Sequence, residues 1–319
     1  MKYDPFVMER WQSTYEHRVR FNLSESGVHP LSVTELFTLA DVGADALDVR
    51  LGYGQSNGSD ELRNLIASLY PGATDASVLV TAGGAEANFI AFWELIQPEA
   101  LVSVMLPNYM QVPGLLESFG ARVHPFHLAE EDGWQPDLNE LENGLREGAR
   151  FILITNPNNP TGAVLDDTSV SGIVELADRY GAWILADEVY RGAELDGPET
   201  PSLWGLHDRV LITNSLSKAY GLPGLRIGWV VGPPEMMEGP VGPQGLHDHR
   251  RGEPFGYAGA PGTGACHQTQ DSGANAKNSD REFRPVVELD GRSGRPVQLS
   301  VSRRRRDLLH ALSPINQLH

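Results

Sequence analysis

Short apolar runs alternate with longer amphipathic segments from residue 77 to residue 232, and this alternation strongly limits the folds open to the chain. The short runs have the length of strands, whereas segments such as 85–95, 112–119 and 169–180 have the length and pattern of helices. Strand followed by helix, repeated along the chain, predicts an α/β fold with a mainly parallel sheet and helices on both faces. We predict seven strands, at residues 77–81, 101–105, 122–126, 151–154, 183–186, 210–213 and 227–231.

The polar residues of interest in this region come directly after the predicted strands. In open α/β sheets, ligands bind outside the carboxyl ends of the strands. The pattern therefore predicts a ligand site at that edge of the sheet.

Charge and composition exclude several kinds of partner. The formal net charge of −17 argues against nucleic acid and anionic membrane surfaces as partners. No stretch of 18 apolar residues is present, which predicts that nothing spans a membrane. The one cysteine, Cys266, excludes an internal disulfide framework, and the first ten residues lack the apolar core of a signal peptide. We therefore expect a cytoplasmic protein.

The most informative motif surrounds Lys218. This lysine follows Ser215 and Ser217 just beyond an apolar run, and Arg226 comes after it across a glycine-rich turn. A lysine amine that is partly neutral condenses with an aldehyde, and the planar fork of an arginine matches a phosphate group. A solvated surface lysine is the plainer alternative, but this setting favours a site for a phosphorylated aldehyde cofactor.

Two further motifs follow predicted strands. Asp187 ends the run 183–186, where a carboxylate can pair with a pyridine nitrogen and keep it protonated. A helix N-cap aspartate is the alternative at such a position. Asn159 lies in the segment 156–162, which reads Asn-Pro-Asn-Asn-Pro-Thr-Gly and could also be a simple turn-rich loop.

A glycine-rich segment at residues 81–88 lies between a predicted strand and a predicted helix. Glycines let the backbone approach a ligand, and a helix N-terminus favours an anion, although a tight turn is an equal alternative. Tyr109, after the run 101–105, could stack on an aromatic ring or could be a core tyrosine.

These motifs, in this order, resemble those of the class I/II aminotransferases, the fold-type I enzymes that use pyridoxal 5'-phosphate (PLP). The resemblance covers roughly residues 20–238. It implies the PLP-dependent transferase fold, with a large domain built on a seven-stranded, mainly parallel sheet. It also implies PLP as the cofactor and transfer of an amino group between an amino acid and a 2-oxo acid.

The resemblance also implies a role for each motif residue. It implies that Lys218 is the Schiff-base lysine and is catalytic together with Asp187 and Tyr190. Asn159 and Tyr190 would contact the ring oxygen of the cofactor, and Tyr109 would stack on its ring. The implied phosphate contacts are Gly84, Ala85, Glu86, Ser215, Ser217 and Arg226.

Two N-terminal positions extend the resemblance. Tyr53 matches a tyrosine that reaches the phosphate in the neighbouring subunit, which implies a homodimer. Gly27 lies where the family closes an N-terminal segment over the substrate. No metal site is predicted, because the histidines near Cys266 fit no established ligand spacing.

Other functions stay open at this stage. Residues 21–30 and 53–58 are somewhat similar to those of capreomycidine synthase-like enzymes, which are PLP lyases that also cyclise their substrate. A non-catalytic PLP-binding remnant is a further alternative, because no counterpart can be placed for the late arginine with which the family grips the substrate carboxylate.

Residues 239–319 differ in kind from the rest of the chain. They carry ten arginines, one lysine and dense glycine and proline, with almost no helix or strand periodicity. We predict three regions: an N-terminal segment of the small domain at 1–44, a large PLP-binding domain at 45–238, and an aberrant tail at 239–319. A shifted reading of suitably chosen codons gives ordinary protein segments here. We hypothesise a frameshift near Gly239, and a disordered tail is the alternative.

Overall fold

The computed structural model describes residues 7–41, 43 and 53–238, together with two short strands at 286–287 and 297–298. Its main feature is one eight-stranded sheet. The strands of this sheet are β1 (Val78–Thr81), β2 (Leu101–Leu106), β3 (Arg122–Ala129), β4 (Gln135–Pro136), β5 (Phe151–Thr155), β6 (Trp183–Asp187), β7 (Val210–Ser215) and β8 (Gly228–Val231). The helices are α1 (Val7–Tyr15), α2 (Val33–Leu39), α3 (Asp60–Ala67), α4 (Gly84–Leu95), α5 (Gln111–Phe119), α6 (Leu138–Arg146), α7 (Asp167–Tyr180) and α8 (Pro234–Glu238).

The strands lie in the order β1-β8-β7-β6-β5-β2-β3-β4. The neighbours from β7 through β3 are all parallel, whereas β8 runs antiparallel to both β7 and β1. Strands β1, β2, β3, β5, β6 and β7 therefore end at the same edge of the sheet. The mainly parallel sheet predicted from the sequence is confirmed.

All seven predicted strands are present, but the sheet has an eighth that was not predicted. This strand, β4, pairs antiparallel with the end of β3 and contains only Gln135 and Pro136. Two residues are too few to show the alternation that reveals a strand, and proline is tolerated there because β4 lies at the sheet edge.

Helices cover both faces of the sheet, because successive strand residues point to opposite sides. On β1, Val78 and Val80 belong to one buried cluster and Leu79 to the other. Helices α4 and α5 contribute to the cluster of Leu79, whereas α3, α6 and α7 contribute to the opposite cluster. The prediction of helices on both faces is confirmed.

Helix ends follow from local sequence. The side chain of Asp166 accepts a hydrogen bond from the Ser169 amide and so caps the start of α7. Helix α7 ends at Gly181, which has the left-handed conformation (φ 63°) that closes many helices. Ser59 and Asp137 cap α3 and α6 in the same way as Asp166 caps α7.

Strand β8 passes very close to the loop that follows β1. A Cβ atom on Gly228 would lie 2.4 Å from the carbonyl carbon of Gly83 and 2.7 Å from the amide nitrogen of Gly84. Both neighbours are backbone atoms, so no side chain can move aside. The glycine at position 228 is therefore required by packing.

We expect Gly228→Ala to lower the free energy of unfolding by about 1–3 kcal/mol, because the backbone must shift to admit the methyl group. Urea unfolding followed by circular dichroism measures the loss. Gly224→Ala is the matched control, since its Cβ atom would meet nothing within 4 Å. Equal midpoints for the two variants would contradict this packing argument.

The N-terminal segment reaches the loop that follows β7. Residues 22–32 form no helix or strand. The amide of Leu31 donates a 2.9 Å hydrogen bond to the carbonyl of Gly221. Val28 packs closely against the same glycine, since a Cβ atom on Gly221 would lie 3.0 Å from Val28 Cγ2. These contacts bring residues 25–27 beside Lys218.

Several sequence predictions fall outside the described residues. The tail at 239–319 and the hypothesised frameshift near Gly239 lie there, apart from a short antiparallel pair between β9 (Val286–Val287) and β10 (Val297–Gln298). Among the described residues, no helix is both long enough and apolar enough to cross a membrane.

Candidate active site

The predicted site residues gather at the edge where the parallel strands end. Asp187 ends β6, Ser215 ends β7, and Tyr109 follows β2. Asn159 follows β5, and Gly84 opens α4 directly after β1. The location predicted from the strand pattern alone therefore agrees with the structure.

Asp187 is a buried carboxylate with fixed partners. Its Oδ2 accepts a 3.0 Å hydrogen bond from Asn88 Nδ2, and its Oδ1 accepts one of 3.0 Å from the Val189 amide. Asn88 is itself held by Thr213, whose Oγ1 donates to Asn88 Oδ1 at 2.6 Å. Burial raises the pKa of Asp187, although these two hydrogen bonds oppose the rise. A protonated ring nitrogen is the kind of partner that such a carboxylate stabilises.

A chain of hydrogen bonds joins Lys218 to Tyr190 and Asn159. Lys218 Nζ donates to Ser26 Oγ at 3.2 Å, and Ser26 Oγ lies 2.7 Å from Tyr190 Oη. The side-chain amide of Asn159 donates to Tyr190 Oη at 3.3 Å. Three predicted site residues therefore converge, although Ser26, which connects them, was not predicted as a site residue.

Glu25 forms an ion pair with Lys218. Its Oε1 lies 3.0 Å from Lys218 Nζ and also accepts a 2.8 Å hydrogen bond from the Gly27 amide. Burial acts to raise the pKa of Glu25, but the interactions with Lys218 and Gly27 outweigh it and lower the pKa. Gly27 lies against this lysine, since its Cβ would be 3.3 Å from Lys218 Cδ. Sequence reasoning singled out Gly27 but missed Glu25, because no spacing rule marks it.

A second group of predicted residues surrounds the start of α4. Gly83 precedes this helix with φ 96°, and no side chain among the described residues caps it. A Cβ on Gly84 would lie 3.4 Å from Ser215 Oγ, and one on Gly83 would collide with the Arg226 guanidinium. Bare backbone, a hydroxyl and a guanidinium thus face the same space, which suits a phosphate group.

Further hydrogen bonds fix the groups around the start of α4. Arg226 donates from Nη2 to the Ala82 carbonyl at 3.2 Å and from Nη1 to the Pro223 carbonyl at 2.9 Å. The Ser217 amide donates to Ser215 Oγ at 3.2 Å. The Glu86 carboxylate accepts a hydrogen bond from the Ala82 amide. Glu86 therefore contributes its backbone, and not its side chain, to the N-terminus of α4. Ala85 lies between Gly84 and Glu86 in the first turn of α4.

The two remaining predicted residues differ in placement. Tyr109 is half-buried, and burial raises the pKa of its phenol, with the negative charges of Glu9 and Asp187 adding to the effect. Tyr109 follows β2, at the same sheet edge as Asp187. Tyr53 is 93% exposed and does not line the cavity of its own chain.

An open cavity of about 570 Å³ borders Lys218. Lys218, Tyr190 and Asn159 lie on its wall, together with Ser26 and Gly27 from the N-terminal segment. Drug-sized and metabolite-sized ligands occupy cavities of this volume. Among the described residues, no cluster of histidine, cysteine and acidic side chains could hold a metal ion.

Comparison with known proteins gives the family. A family model described as aminotransferase class I and II matches residues 31–240, which include every site residue predicted above except Gly27. The chain belongs to this family. Membership in the class I and II aminotransferases implies pyridoxal phosphate as the cofactor.

Individual relatives show how far the similarity extends. The chain is 34% identical over 233 residues to capreomycidine synthase of Streptomyces vinaceus. These residues cover 72% of this chain and 60% of that protein. It is 32% identical over 188 residues to an arginine–pyruvate transaminase of Pseudomonas aeruginosa, covering 57% of this chain and 48% of that protein. The chain therefore spans about half to three-fifths of the length of these curated relatives.

Solved structures agree with the fold. A PLP-dependent aminotransferase from Streptococcus suis superposes with a TM-score of 0.72 at 33% identity, covering 80% of this chain and 68% of that one. An aspartate aminotransferase from Thermus thermophilus with maleate superposes with a TM-score of 0.67 at 22% identity, covering 77% and 66%, and supports the fold alone.

The residues present in this aminotransferase chain fit pyridoxal phosphate. An amine for an aldehyde and two donors for a phenolic oxygen line one cavity, in Lys218 and in Tyr190 with Asn159. A buried carboxylate for a ring nitrogen, Asp187, ends β6 at the same sheet edge. Gly83 and Gly84, beside Arg226 and Ser215, carry no Cβ atoms that would block a phosphate group. The donor set therefore matches each polar group of the cofactor.

Glu188 and Arg191, directly after β6, form a pair that the sequence did not reveal. Glu188 is fully buried, and its Oε1 accepts hydrogen bonds from Ser202 Oγ at 2.7 Å and the Leu203 amide at 2.8 Å. Burial raises the pKa of Glu188 to about 7, against the opposing charge of Arg191, whose Nη1 lies 3.7 Å away. This pair ties the loop after Tyr190 to the end of β6.

Proposed function

We propose that this chain is a pyridoxal phosphate-dependent aminotransferase that moves an amino group between an amino acid and a 2-oxo acid. The observation that carries the proposal is the hydrogen-bond chain from Lys218 through Ser26 to Tyr190 and Asn159. It brings a reactive amine and two donors to one cavity wall, beside a buried carboxylate. Family membership supports the same reaction.

The cofactor, when bound, supplies an aldehyde that condenses with amines and a ring that withdraws electrons from the substrate Cα. Lys218 Nζ is the amine placed to bind that aldehyde covalently. Once an amino acid has displaced it, Lys218 Nζ is free to take a proton from Cα and later to return one. The amine must be neutral for this, and the ion pair with Glu25 must therefore break.

The other residues orient and polarise. Asp187 would hold a proton on the ring nitrogen, and Asn88 fixes the position of that carboxylate. Tyr190 and Asn159 would donate hydrogen bonds to the ring oxygen and so stabilise negative charge there. Tyr109 would stack on the ring and exclude water from it.

We propose that the phosphate lies between Arg226, Ser215 and the amides of Gly84, Ala85 and Glu86, with Ser217 supporting Ser215.

Arg226→Ala should then raise the dissociation constant for pyridoxal phosphate about 10- to 100-fold, because a charge-assisted pair contributes about 1.5–3 kcal/mol. Fluorescence titration with the cofactor measures the change. Arg122→Ala, a change of an exposed arginine on β3, is the control. An affinity unchanged by Arg226→Ala would exclude Arg226 from the phosphate site.

Assembly and location belong to the same proposal. We propose a homodimer in which Tyr53 reaches the phosphate of the neighbouring subunit, and its 93% exposure in one chain supports this arrangement. We propose a cytoplasmic location, since a sequence with one cysteine suits a reducing compartment.

A domain division completes the proposal. We propose that 45–238 form the cofactor-binding domain and that 1–44 belong to the small domain. A frameshift near Gly239 stays a hypothesis, which resequencing of codons 235–319 tests directly.

Amino transfer is tested with purified chain, pyridoxal phosphate, an L-amino acid and pyruvate. Formation of alanine and the matching 2-oxo acid is the expected result. L-Arginine is a suitable first donor, because one relative is named for arginine and pyruvate. Cofactor binding without any 2-oxo acid would favour a non-catalytic remnant.

A second candidate function is a capreomycidine synthase-like PLP lyase and cyclase. The observation in its favour is 34% identity to capreomycidine synthase over 72% of this chain. Production of 2-oxo acid from a simple amino acid separates the two functions. A product that keeps its nitrogen and forms a ring would favour the lyase.

A further inference from the structure

We propose that the cavity beside Lys218 takes an amino acid whose side chain is an aliphatic stem with a cationic end group, and that Glu25, Glu194 and Asp196 select it. This inference rests on the proposed function and names its substrate class. The end group would be a guanidinium or an ammonium ion.

The charges on the cavity wall are unequal. Glu194 and Asp196 line it from the loop after Tyr190, and Lys218 is the one cationic side chain among its described lining residues. No described arginine lines it, so nothing there would pair with the side-chain carboxylate of an acidic substrate. The cavity wall therefore favours a positive side chain over a negative one.

Binding of the cofactor changes this balance further. Lys218 pairs with Glu25 at 3.0 Å while its amine is free. If Lys218 Nζ lost its proton and bound the aldehyde covalently with release of water, it would leave that pair, and the Glu25 carboxylate would lose its cation. The carboxylates of Glu194 and Asp196 on the cavity wall and of Glu25 beside Lys218 would then face no other cation among the described lining residues, and a cationic substrate group would restore the neutralisation.

Glu194 is a fixed and ionised group. Its Oε1 accepts hydrogen bonds from the Gly192 amide at 2.9 Å and the Thr200 amide at 3.0 Å. Partial burial acts to raise the pKa of Glu194, but these backbone hydrogen bonds outweigh burial and lower it. Arg191 Nε donates to the Thr200 carbonyl at 3.0 Å and so steadies the loop that carries Glu194. A carboxylate held in this way loses little entropy when it pairs with a ligand.

Apolar side chains on the same wall suit an aliphatic stem. Val28, Val164, Ala193 and Leu195 line the cavity together with the lysine and the acidic residues of the loop. Long basic side chains bury their methylene groups along apolar surface and keep the charged end near polar groups. Shape and charge thus favour the same class of amino acid.

The test uses the full chain with Lys218→Ala, loaded with pyridoxal phosphate. Without this lysine, proton transfer at Cα is blocked, so calorimetric titration measures binding and not turnover. L-Arginine is compared with L-citrulline, which has nearly the same shape but no charge. We expect arginine to bind at least about tenfold more tightly, which corresponds to about 1.4 kcal/mol.

Charge removal identifies the residues responsible. In the Lys218→Ala background, Glu194→Gln, Asp196→Asn and Glu25→Gln should each reduce the arginine-to-citrulline ratio about threefold or more. Glu131→Gln, a change of an exposed acid outside the cavity, should leave the ratio unchanged. Asp196 is exposed, so its variant carries little risk to folding.

Each outcome has a definite meaning. Cofactor binding with equal affinity for arginine and citrulline overturns the substrate inference and leaves the proposed function standing. A preference that no acidic variant changes removes the role of these three residues. A parent chain, with Lys218 in place, that binds no pyridoxal phosphate overturns the proposed function and the inference with it.

Discussion

Replacing Lys218 by alanine should abolish covalent attachment of pyridoxal phosphate and reduce amino transfer by at least about 10⁴-fold, because one amine both binds the aldehyde and moves the proton. The chain contains only three lysines, Lys2, Lys218 and Lys277, and Lys218 is the one among the described residues. Few other amines can therefore take its place. Borohydride reduction followed by intact-mass measurement reports the covalent attachment.

The other two lysines provide matched controls. Lys2→Ala and Lys277→Ala make the same chemical change at positions outside the residues that the structure describes. Both variants should keep the trapped cofactor and the rate of the parent chain. Trapped cofactor in Lys218→Ala at the parent level would contradict the assignment of this residue.

Asp187→Ala should leave pyridoxal phosphate bound but lower the rate of amino transfer about 10²- to 10³-fold, the usual range for loss of a preorganised charge partner. Asp187→Asn should behave similarly, because its amide keeps the shape but cannot hold a proton on the ring nitrogen. The buried carboxylate and its two 3.0 Å hydrogen bonds make this position specific for an acid. Steady-state rates and the absorption spectrum of the bound cofactor measure both effects.

Asp187→Asn should lower activity but should not lower the stability of the cofactor-free protein. Burial raises the pKa of Asp187 in the folded chain, so the cofactor-free protein loses stability as the pH rises from the unfolded value, about 3.9, through the raised one. Asp187→Asn removes this loss, and its cofactor-free form should unfold at equal or higher temperature at pH 7. Asp132→Ala, a change of an exposed aspartate, is the control for both measurements. A near-normal rate in either Asp187 variant would contradict the role of this carboxylate.

Sequence periodicity was sufficient to predict the sheet and the edge of the sheet at which the candidate site lies. Each long strand carries enough residues to show its apolar pattern, and the polar residues at strand ends follow from topology. Strand β4 was missed because two residues show no pattern. Gly84, Tyr109, Asn159, Asp187 and Ser215 lie at or just after strand ends, so the strand pattern brings them to one sheet edge, while their roles toward the cofactor stay predictions.

Contacts between distant segments could not be predicted from the sequence. Glu25 meets Lys218 across 193 positions, and Asn88 meets Asp187 across 99. Such pairs depend on how the chain folds back, and a single sequence carries no signal for them. The sequence did not single out Glu188, although it is fully buried with Arg191 near it.

The central claim is that Lys218 binds the aldehyde of pyridoxal phosphate. The most direct measurement is peptide mapping by mass spectrometry of the parent chain after loading with the cofactor and reduction with borohydride. The account predicts one phosphopyridoxyl group per chain, on the peptide that contains Lys218. A label on Lys2 or Lys277 in its place, or no label at saturating cofactor, would contradict it.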